Sequence, residues 1–508
     1  MTSTTASAAA SDSPDLRSLA ALSDAYPAEY LDYYAVLPLV VTDGRLRVAT
    51  WVDDVDPQAL DDLRLAFQAE PELVRLPEQD VRAAIQRVYG CGSTAEALVA
   101  DLDAGEAVIV GEEIPLDDLR SQANEAPVVR LVNLLILEAM EARASDVHLE
   151  GHARGLAVRY RVDGILQEAP TPPAHLGAAV VSRIKIMAEL DIAERRVPQD
   201  GRIRLRLRDR EVDVRVSVVP TLHGESVVLR ILDRERGRVA LEGLGMGSET
   251  LVRFVEAIGK PQGIVLATGP TGSGKTTTLY AALERLRTGR EKILTVEDPI
   301  EYELTGVAQM PVNRKVGVTF ATALRALLRQ DPDILLVGEI RDGETAEIAT
   351  HAALTGHLVL STLHTNDATS AVTRLVDLGV ADYLVASTVE CVLAQRLVRC
   401  VCEVCALKVP IEEGWSAALG DPPAGLETVA RGAGCDDCRG TGYRGRIGIF
   451  ELLVFDDDLR EALRDRPDAR YLRRLAVEKG LRTLRDDGIR QIVHGVTTAE
   501  EVLRVTLG

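Results

Sequence analysis

A doubly wound α/β core, preceded by two smaller α/β units and carrying a tetracysteine insert, is the fold class this sequence predicts. Three observations predict it. Four short runs, GIVLAT (Gly263–Thr268), KILTVED (Lys292–Asp298), DILLVGE (Asp333–Glu339) and HLVLST (His357–Thr362), are apolar on both faces and alternate with helical patterns. Strands of that kind belong in a parallel sheet covered by helices. The first run feeds a glycine-rich loop, GPTGSGKTTT (Gly269–Thr278), which opens an amphipathic helix, TLYAALERLR. Two C-x-x-C turns, Cys402/Cys405 and Cys435/Cys438, stand near the end of the chain.

A chain of 508 residues is too long for one core and calls for several domains. Its net charge of −20 argues against a broad phosphate-binding surface, and so against direct nucleic-acid binding. No apolar run approaches the ~18 residues of a membrane helix. The opening MTSTTASAAASDSPD has neither a basic n-region nor an apolar h-region and reads as a disordered tail, residues 1–15. Seven cysteines, four of them in two paired turns, point to a reducing cytosol and a metal site, not to a disulfide framework.

In chain order, residues 16–90 read as a small α/β domain with a hairpin turning at Asp43-Gly44, followed by two helical patterns and no catalytic constellation. Its role is docking or scaffolding. Residues 91–124 are acidic and aperiodic, as a linker is. Residues 125–235 form a second, α+β domain: a long helix, then strands DVHLE, LAVRYRVDG, GRIRLRLRD, EVDVRVSVVP and ESVVLRILD. Arg202, Arg204, Arg206 and Arg208 share one strand face, as solvated edge-protecting charges do. Arg215 and Arg230 interrupt apolar runs and need an anionic partner, either a phosphate or, for Arg215, Asp213. Residues 236–248 read as a hinge, 249–390 as a RecA-like core, 391–450 as a zinc-binding domain and 451–508 as a helical C-terminal region.

The loop meets the pattern G-x-x-x-x-G-K-[ST] with Gly269, Gly274, Lys275 and Thr276. Its backbone N–H groups, from Gly269, Thr271, Gly272, Ser273 and Gly274 to Thr276 and Thr277, surround a phosphate at a helix N-terminus, and Pro270 belongs to the same loop. Lys275 reaches the terminal phosphates of ATP, and the Thr276 hydroxyl ligates Mg²⁺. Three acidic groups meet at the carboxyl ends of the strands: Glu297 with Asp298, Glu301 just after them, and Glu339. Glu339 orients or deprotonates the attacking water, or is a helix N-terminal charge; Gly338 stands where a metal-binding Asp is usual. His364 contacts the γ-phosphate or is a satisfied core histidine, and His357 begins the same strand. Arg325 and Arg329 share a helix face, either solvated or serving a phosphate across a subunit boundary. Four thiolates in two C-x-x-C turns suit a closed, structural Zn²⁺. The symmetry of the two turns excludes Cys400, and Cys91 and Cys391 are bystanders.

The motifs ASDVHLE, RVPQDGR, GPTGSGKTTTLY, TVEDPIEY, RQDPDILLVGEIRD, TGHLVLSTLHTNDA, AQRLVR, the paired C-x-x-C and GYRGRIGIFELL follow one another over residues 126–508. In that order they resemble the secretion ATPases of type II secretion and type IV pilus assembly, and length and the compact N-terminal module are most similar to the type II branch. The resemblance implies a cytoplasmic homohexamer, peripherally attached to the inner membrane, that couples ATP hydrolysis to assembly of a pseudopilus; the pilus assembly motor is the alternative. Nucleotide would lie between the second domain and the RecA-like core. The resemblance makes TVEDPIEY an aspartate box, Glu339 the catalytic glutamate and TGHLVLSTLH a histidine box. It brings Arg215 and Arg230 to the γ-phosphate on closure and strengthens that role for Arg325 and Arg329. It docks residues 16–90 on the cytoplasmic domain of an inner-membrane secretion protein, beside an inner-membrane platform protein.

Overall fold

The computed structural model describes residues 31–85, 95 and 126–506, apart from 33, 43, 53–54, 68, 208–209, 233–238, 412–414, 416–418, 421 and 466–467. The tail, nearly all of the acidic linker, the first part of the hinge, Cys91 and Arg208 lie outside the described residues.

The N-terminal unit is a three-stranded sheet with two helices. Strands β1 (Val36–Thr42) and β2 (Arg45–Thr50) pair antiparallel with Thr42 opposite Arg45, the tight hairpin expected around Gly44, which adopts φ 78°. Strand β3 (Glu70–Arg75) runs parallel to β2. The sequence predicts no strand there, because EPELVR is a mostly exposed edge with no apolar alternation to signal it. Leu37, Leu46, Leu63 and Val81 make this unit's own core.

The second unit is a six-stranded sheet in the order β6-β5-β4-β9-β8-β7. Its strands are β4 (Ala144–His152), β5 (Gly155–Val162), β6 (Ile165–Glu168), β7 (Gln199–Leu207), β8 (Arg210–Thr221) and β9 (Gly224–Leu232). Helices Ala126–Glu141 and Gly177–Met187 bury Leu131, Leu135, Val180 and Ile184 against Val147, Val158, Val214 and Val227. That leaves the opposite face of the sheet to polar residues.

The third unit carries a seven-stranded sheet in the order β12-β11-β13-β14-β10-β15-β18. Strands β10 (Gly263–Thr268), β11 (Ile293–Glu297), β12 (Ala308–Pro311), β13 (Ile334–Val337), β14 (Leu358–Leu363) and β15 (Val389–Val401) are mutually parallel, and β10, β11, β13 and β14 are buried throughout. This is the doubly wound sheet expected of runs apolar on both faces.

The segment 391–450 does not stand apart as a domain. Strand β15 hydrogen-bonds to β10, and β18 (Tyr443–Val454) pairs antiparallel with β15, so both belong to the core sheet. Only the stretch between them projects, built on the hairpin of β16 (Ala406–Pro410) and β17 (Thr428–Gly432). The cysteines drew the expected boundary inward to Cys391, whereas the apolar run VECVLAQRLV decides that the strand is buried. The C-terminal helices join the same core, with Leu459, Leu472, Ile492 and Val502 beside Val392, Val398 and Ile449. In the hinge, Leu241 and Leu244 are buried against Phe254 and Tyr280.

Gly488, within the helix Leu484–Val493, tests this C-terminal packing. Helix propensity alone favours Gly488→Ala by about 1 kcal/mol. A β-carbon there would lie 2.4 and 3.0 Å from the two methyls of fully buried Val502. Overpacking of that kind costs about 1–3 kcal/mol and outweighs propensity. Gly488→Ala is therefore expected to lower the melting temperature in calorimetry.

Candidate functional site

The phosphate loop is shaped by the strands on either side of β10. Gly269 (φ 146°) and Gly274 (φ 89°) lie where a side chain is strained, and the space is closed as well. A β-carbon would meet Gln395 O at 2.5 Å from Gly269 and Gln395 Nε2 at 2.7 Å from Gly274. The helix Lys275–Leu286 starts directly behind, aiming its free N–H groups and positive dipole end at the loop. Lys275 is buried, and its Nζ donates to Gly269 O (2.8 Å) and Pro270 O (2.9 Å). Burial lowers its pKa to about 8; Glu339 opposes that shift and Arg396 adds to it. The Ser273 hydroxyl is buried with no partner among the described residues, an orphan that a phosphate oxygen would satisfy. Thr276 is exposed toward the cleft. Loop and surroundings fit a nucleotide phosphate with its Mg²⁺.

Two of the acidic strand ends differ in kind. Glu297 is buried and accepts hydrogen bonds from the Tyr280 hydroxyl, Thr295 Oγ1 (2.6 Å) and Gln309 Nε2 (3.1 Å). Burial first, and Glu297 second, push the Tyr280 phenol well above its ordinary pKa. So saturated a carboxylate is an anchor and not a base. Glu339 is also buried, but it faces Arg341 Nη2 (2.5 Å) on one oxygen and His364 Nε2 (3.4 Å) on the other. Asp298 pairs with Arg314 at 3.3 Å, and Glu301 with Arg215 at 3.6 Å. Gly338, before Glu339, would place a β-carbon 3.2 Å from Val296 O, so a larger residue crowds β11.

The polar face of the second sheet closes the other side. Cross-strand register sets Arg202 opposite Arg215, Arg215 opposite Arg230, Arg230 opposite Asp146 and Asp146 opposite Arg161. Like charges directly opposite destabilise a sheet unless each finds a counter-charge. Asp213 takes Arg202 in a bidentate pair (3.0 and 2.6 Å), and Asp146 takes Arg230 at 2.9 Å. The partner expected for Arg215 in its own strand is thus engaged elsewhere. Arg215 instead crosses to the third unit, donating to Ile300 O (2.9 Å) beside Glu301. Between the two units lies an open cleft of about 1150 Å³, lined by Asp146 and Arg230 on one side and by Lys275, Glu297, Glu339 and His364 on the other. It exceeds the ~300–1,000 Å³ of ordinary ligand sites.

Three predicted residues lie away from this cleft. His357 sits at the amino end of β14, opposite to the site, with Nδ1 2.8 Å from Ala352 O. Arg325 pairs with Glu344 at 2.7 Å, and Arg329 donates to Arg325 O at 3.0 Å. Arg341, Tyr280, Gln395 and Arg396 are not among the residues predicted from the sequence, yet Arg341, Arg396 and Gln395 touch Glu339 or the loop. Arg396 had a signal: it interrupts the apolar run VLAQRLV as Arg230 interrupts VVLRIL.

The four predicted zinc thiols converge. Cys402, Cys405, Cys435 and Cys438 place their sulfurs within 4.8 Å of one another, with pairs at 3.8, 3.8 and 3.7 Å. Tetrahedral Zn–S bonds of ~2.3 Å require sulfurs about 3.8 Å apart. Backbone N–H groups of Gly434 (3.3 Å), Cys435 (3.1 Å) and Gly442 (3.2 Å) point at the sulfurs. Cys400 is outside the cluster, half-buried, its thiol pushed up to about 11 by burial.

A family profile described as "Type II/IV secretion system protein" matches residues 121–504, and one described as "MshEN domain" matches residues 8–95. The chain is similar to type II secretion system protein E of Pseudomonas aeruginosa, 52% identical over 416 residues, 82% of this chain and 83% of that one. It is 47% identical over 488 residues to protein E of Xanthomonas campestris pv. campestris (94% of this chain, 84% of that one). It is 44% identical over 484 residues to the type IV pilus assembly ATPase PilB of Myxococcus xanthus (94% and 85%). Among solved structures, the Legionella pneumophila ATPase DotB shares the fold, with a TM-score of 0.57 at 22% identity over 75% of this chain and 96% of that one.

Two outcomes follow from the site's geometry. Phosphate binding favours charged Lys275, whose pKa of about 8 in the empty cleft rises once an anion neutralises it. ADP affinity is then constant below pH 8 and falls as pH rises through and above 8, with proton uptake near pH 8.5 visible as buffer-dependent calorimetric enthalpy. Removal of Zn²⁺ with a chelator should abolish hydrogen-exchange protection in residues 402–442 while β10 and β14 keep theirs.

Proposed function

The chain belongs to the type II/IV secretion system protein family, and on that premise we infer that it is an ATP hydrolase that powers pseudopilus assembly for type II secretion. One observation carries the catalytic reading: Lys275, beneath the phosphate loop, and Glu339, on the neighbouring strand end, line one cleft that an arginine-bearing sheet closes. Lys275 and the N–H groups of residues 269 and 271–276 hold the phosphates. The Thr276 hydroxyl would take Mg²⁺, which supplies charge neutralisation at the phosphates. Glu339 accepts the proton of the attacking water, and His364 and Arg341 hold that carboxylate in place. Arg230 leaves Asp146, and Arg215 leaves Ile300 O and Glu301, to meet the γ-phosphate as the two units close. Arg325 and Arg329, on the surface of the third unit, serve a neighbouring protomer's nucleotide in a homohexamer.

Residues 16–90 dock on the cytoplasmic domain of an inner-membrane secretion protein, holding the ATPase at the inner membrane beside a platform protein. A second reading, the pilus assembly motor, is favoured by the 44% identity to a PilB over nearly the whole chain. Turnover measured with purified cytoplasmic domains of the two systems' membrane proteins separates these readings: only the cognate domain should stimulate it.

Glu339→Gln is expected to keep ATP affinity within about threefold and to lower kcat roughly a hundredfold or more, the scale of a lost general base. Full turnover in that variant removes Glu339 from its assigned role.

A further inference from the structure

Three basic side chains are buried among the described residues: Lys185, Lys275 and Arg396. Lys185 lies outside the cleft and is neutralised by Glu225 at 2.8 Å. Lys275 and Arg396 line the cleft, and each is bonded to neutral oxygens alone. Arg396 donates from Nη1 to Gln395 O (3.1 Å) and from Nη2 to Asn366 O (3.0 Å) and Asn366 Oδ1 (3.3 Å). Among the described residues no carboxylate comes within ion-pair distance of it. The nearest acids are engaged: Glu451 accepts from Ala368 N and faces Arg473 at 3.4 Å, and Asp367 caps the helix Ala368–Asp377 through Ser370 N at 2.8 Å. Arg215, Arg230 and Arg341, by contrast, each have a carboxylate.

The two unneutralised cations converge on one residue. Lys275 Nζ bonds Gly269 O, and Arg396 Nη1 lies 3.0 Å from the point where a β-carbon on Gly269 would sit. Two desolvated positive charges side by side with only dipolar partners are costly, and an anion between them removes that cost. Hydrogen bonds from a cationic side chain to phosphate oxygens are roughly twice as strong as neutral ones. We propose that Arg396 is a second phosphate-binding cation of this site, meeting the nucleotide's polyphosphate together with Lys275 from the strand beside the loop. The inference rests on the reading of the cleft as an ATP site.

On this assignment Arg396 parks on Asn366 when the cleft is empty and exchanges that amide and carbonyl for phosphate oxygens when it fills. Asn366 follows His364, so the exchange also frees the segment that carries the histidine facing Glu339. The charged groups around Lys275 are Glu339 and Arg396, and those around Arg396 are Glu451, Asp367 and Lys275.

The test is the affinity of a non-hydrolysable ATP analogue for the full chain and its R396Q and R396K variants, across pH 7–9.5, with unfolding temperatures as a folding check. R396Q should bind roughly ten- to hundredfold more weakly, the scale of a charge-assisted contact. R396K should recover most of that loss. The pH at which affinity begins to fall should move upward in R396Q, because Lys275 no longer shares its pocket with a cation; a merely structural role would leave that profile in place. Wild-type affinity in R396Q, or a loss in R396K as large as in R396Q, overturns the assignment. Should R396Q not fold, R396K decides: binding within about fivefold of wild type sustains the proposal and a larger loss overturns it. A wild-type chain that binds no analogue removes the ATP reading and this inference with it. Binding by the wild type with R396Q unaffected removes this inference alone.

Discussion

Lys275 rests with its ammonium on two carbonyl oxygens of its own loop, out of water and out of reach of any described carboxylate. Much of the surrounding structure follows from tolerating that arrangement. The left-handed glycines bring the carbonyls close enough to stand in for phosphate oxygens, and Gln395 fills the space their missing side chains leave. Thr268, the last residue of β10, ties the loop's entry to Thr365, accepting from its N–H at 2.9 Å. The loop's carbonyls offer the ammonium dipoles and no counter-charge, and burial lowers the lysine pKa to about 8.

Across the cleft the same problem is solved differently. Arg230 is more than half exposed, whereas its partner Asp146 is buried. A guanidinium so exposed stays largely hydrated, so its release to another anion costs little on the arginine's side. The cost would fall on Asp146, left buried without a cation. Ser145 Oγ already donates to it at 2.8 Å, which keeps one hydrogen bond in place. Arg215 is tied across the gap, to the backbone of Ile300 and to Glu301. One arginine is therefore held by its own sheet and the other by the opposite wall, and that asymmetry suits a cleft that changes width.

The core sheet was readable because its strands are apolar on both faces and its loop carries a fixed spacing of glycine, lysine and threonine. The four-cysteine cluster was readable because two C-x-x-C turns leave few alternatives. What escaped depends on register and long-range pairing. That Asp213 serves Arg202 and not Arg215 follows from cross-strand pairing of β7 with β8, which spacing along one strand does not contain. His357 stands seven positions before His364, and only a strand running between them puts the first at the wrong end of the sheet. β3 and the boundary at Cys391 failed for opposite reasons, one edge strand being too polar to notice and one buried strand being overshadowed by cysteines.

The placement of the zinc insert ties these observations together. It springs from β15 and β18, and β15 also carries Gln395 and Arg396 against the phosphate loop. On the outer side, Gly445 N donates to Asp163 Oδ2 at 2.8 Å, and Arg446 lies 3.5 Å from the same carboxylate. Asp163 belongs to the turn between β5 and β6 of the second unit and lines the cleft. A single pair of strands thus touches the nucleotide loop at one point and the opposite wall's turn at another. The four thiols converge at the far end of that pair, where a tetrahedral metal would cross-link the two C-x-x-C turns. The strands that frame the cysteine cluster therefore also join the nucleotide loop to the opposite unit.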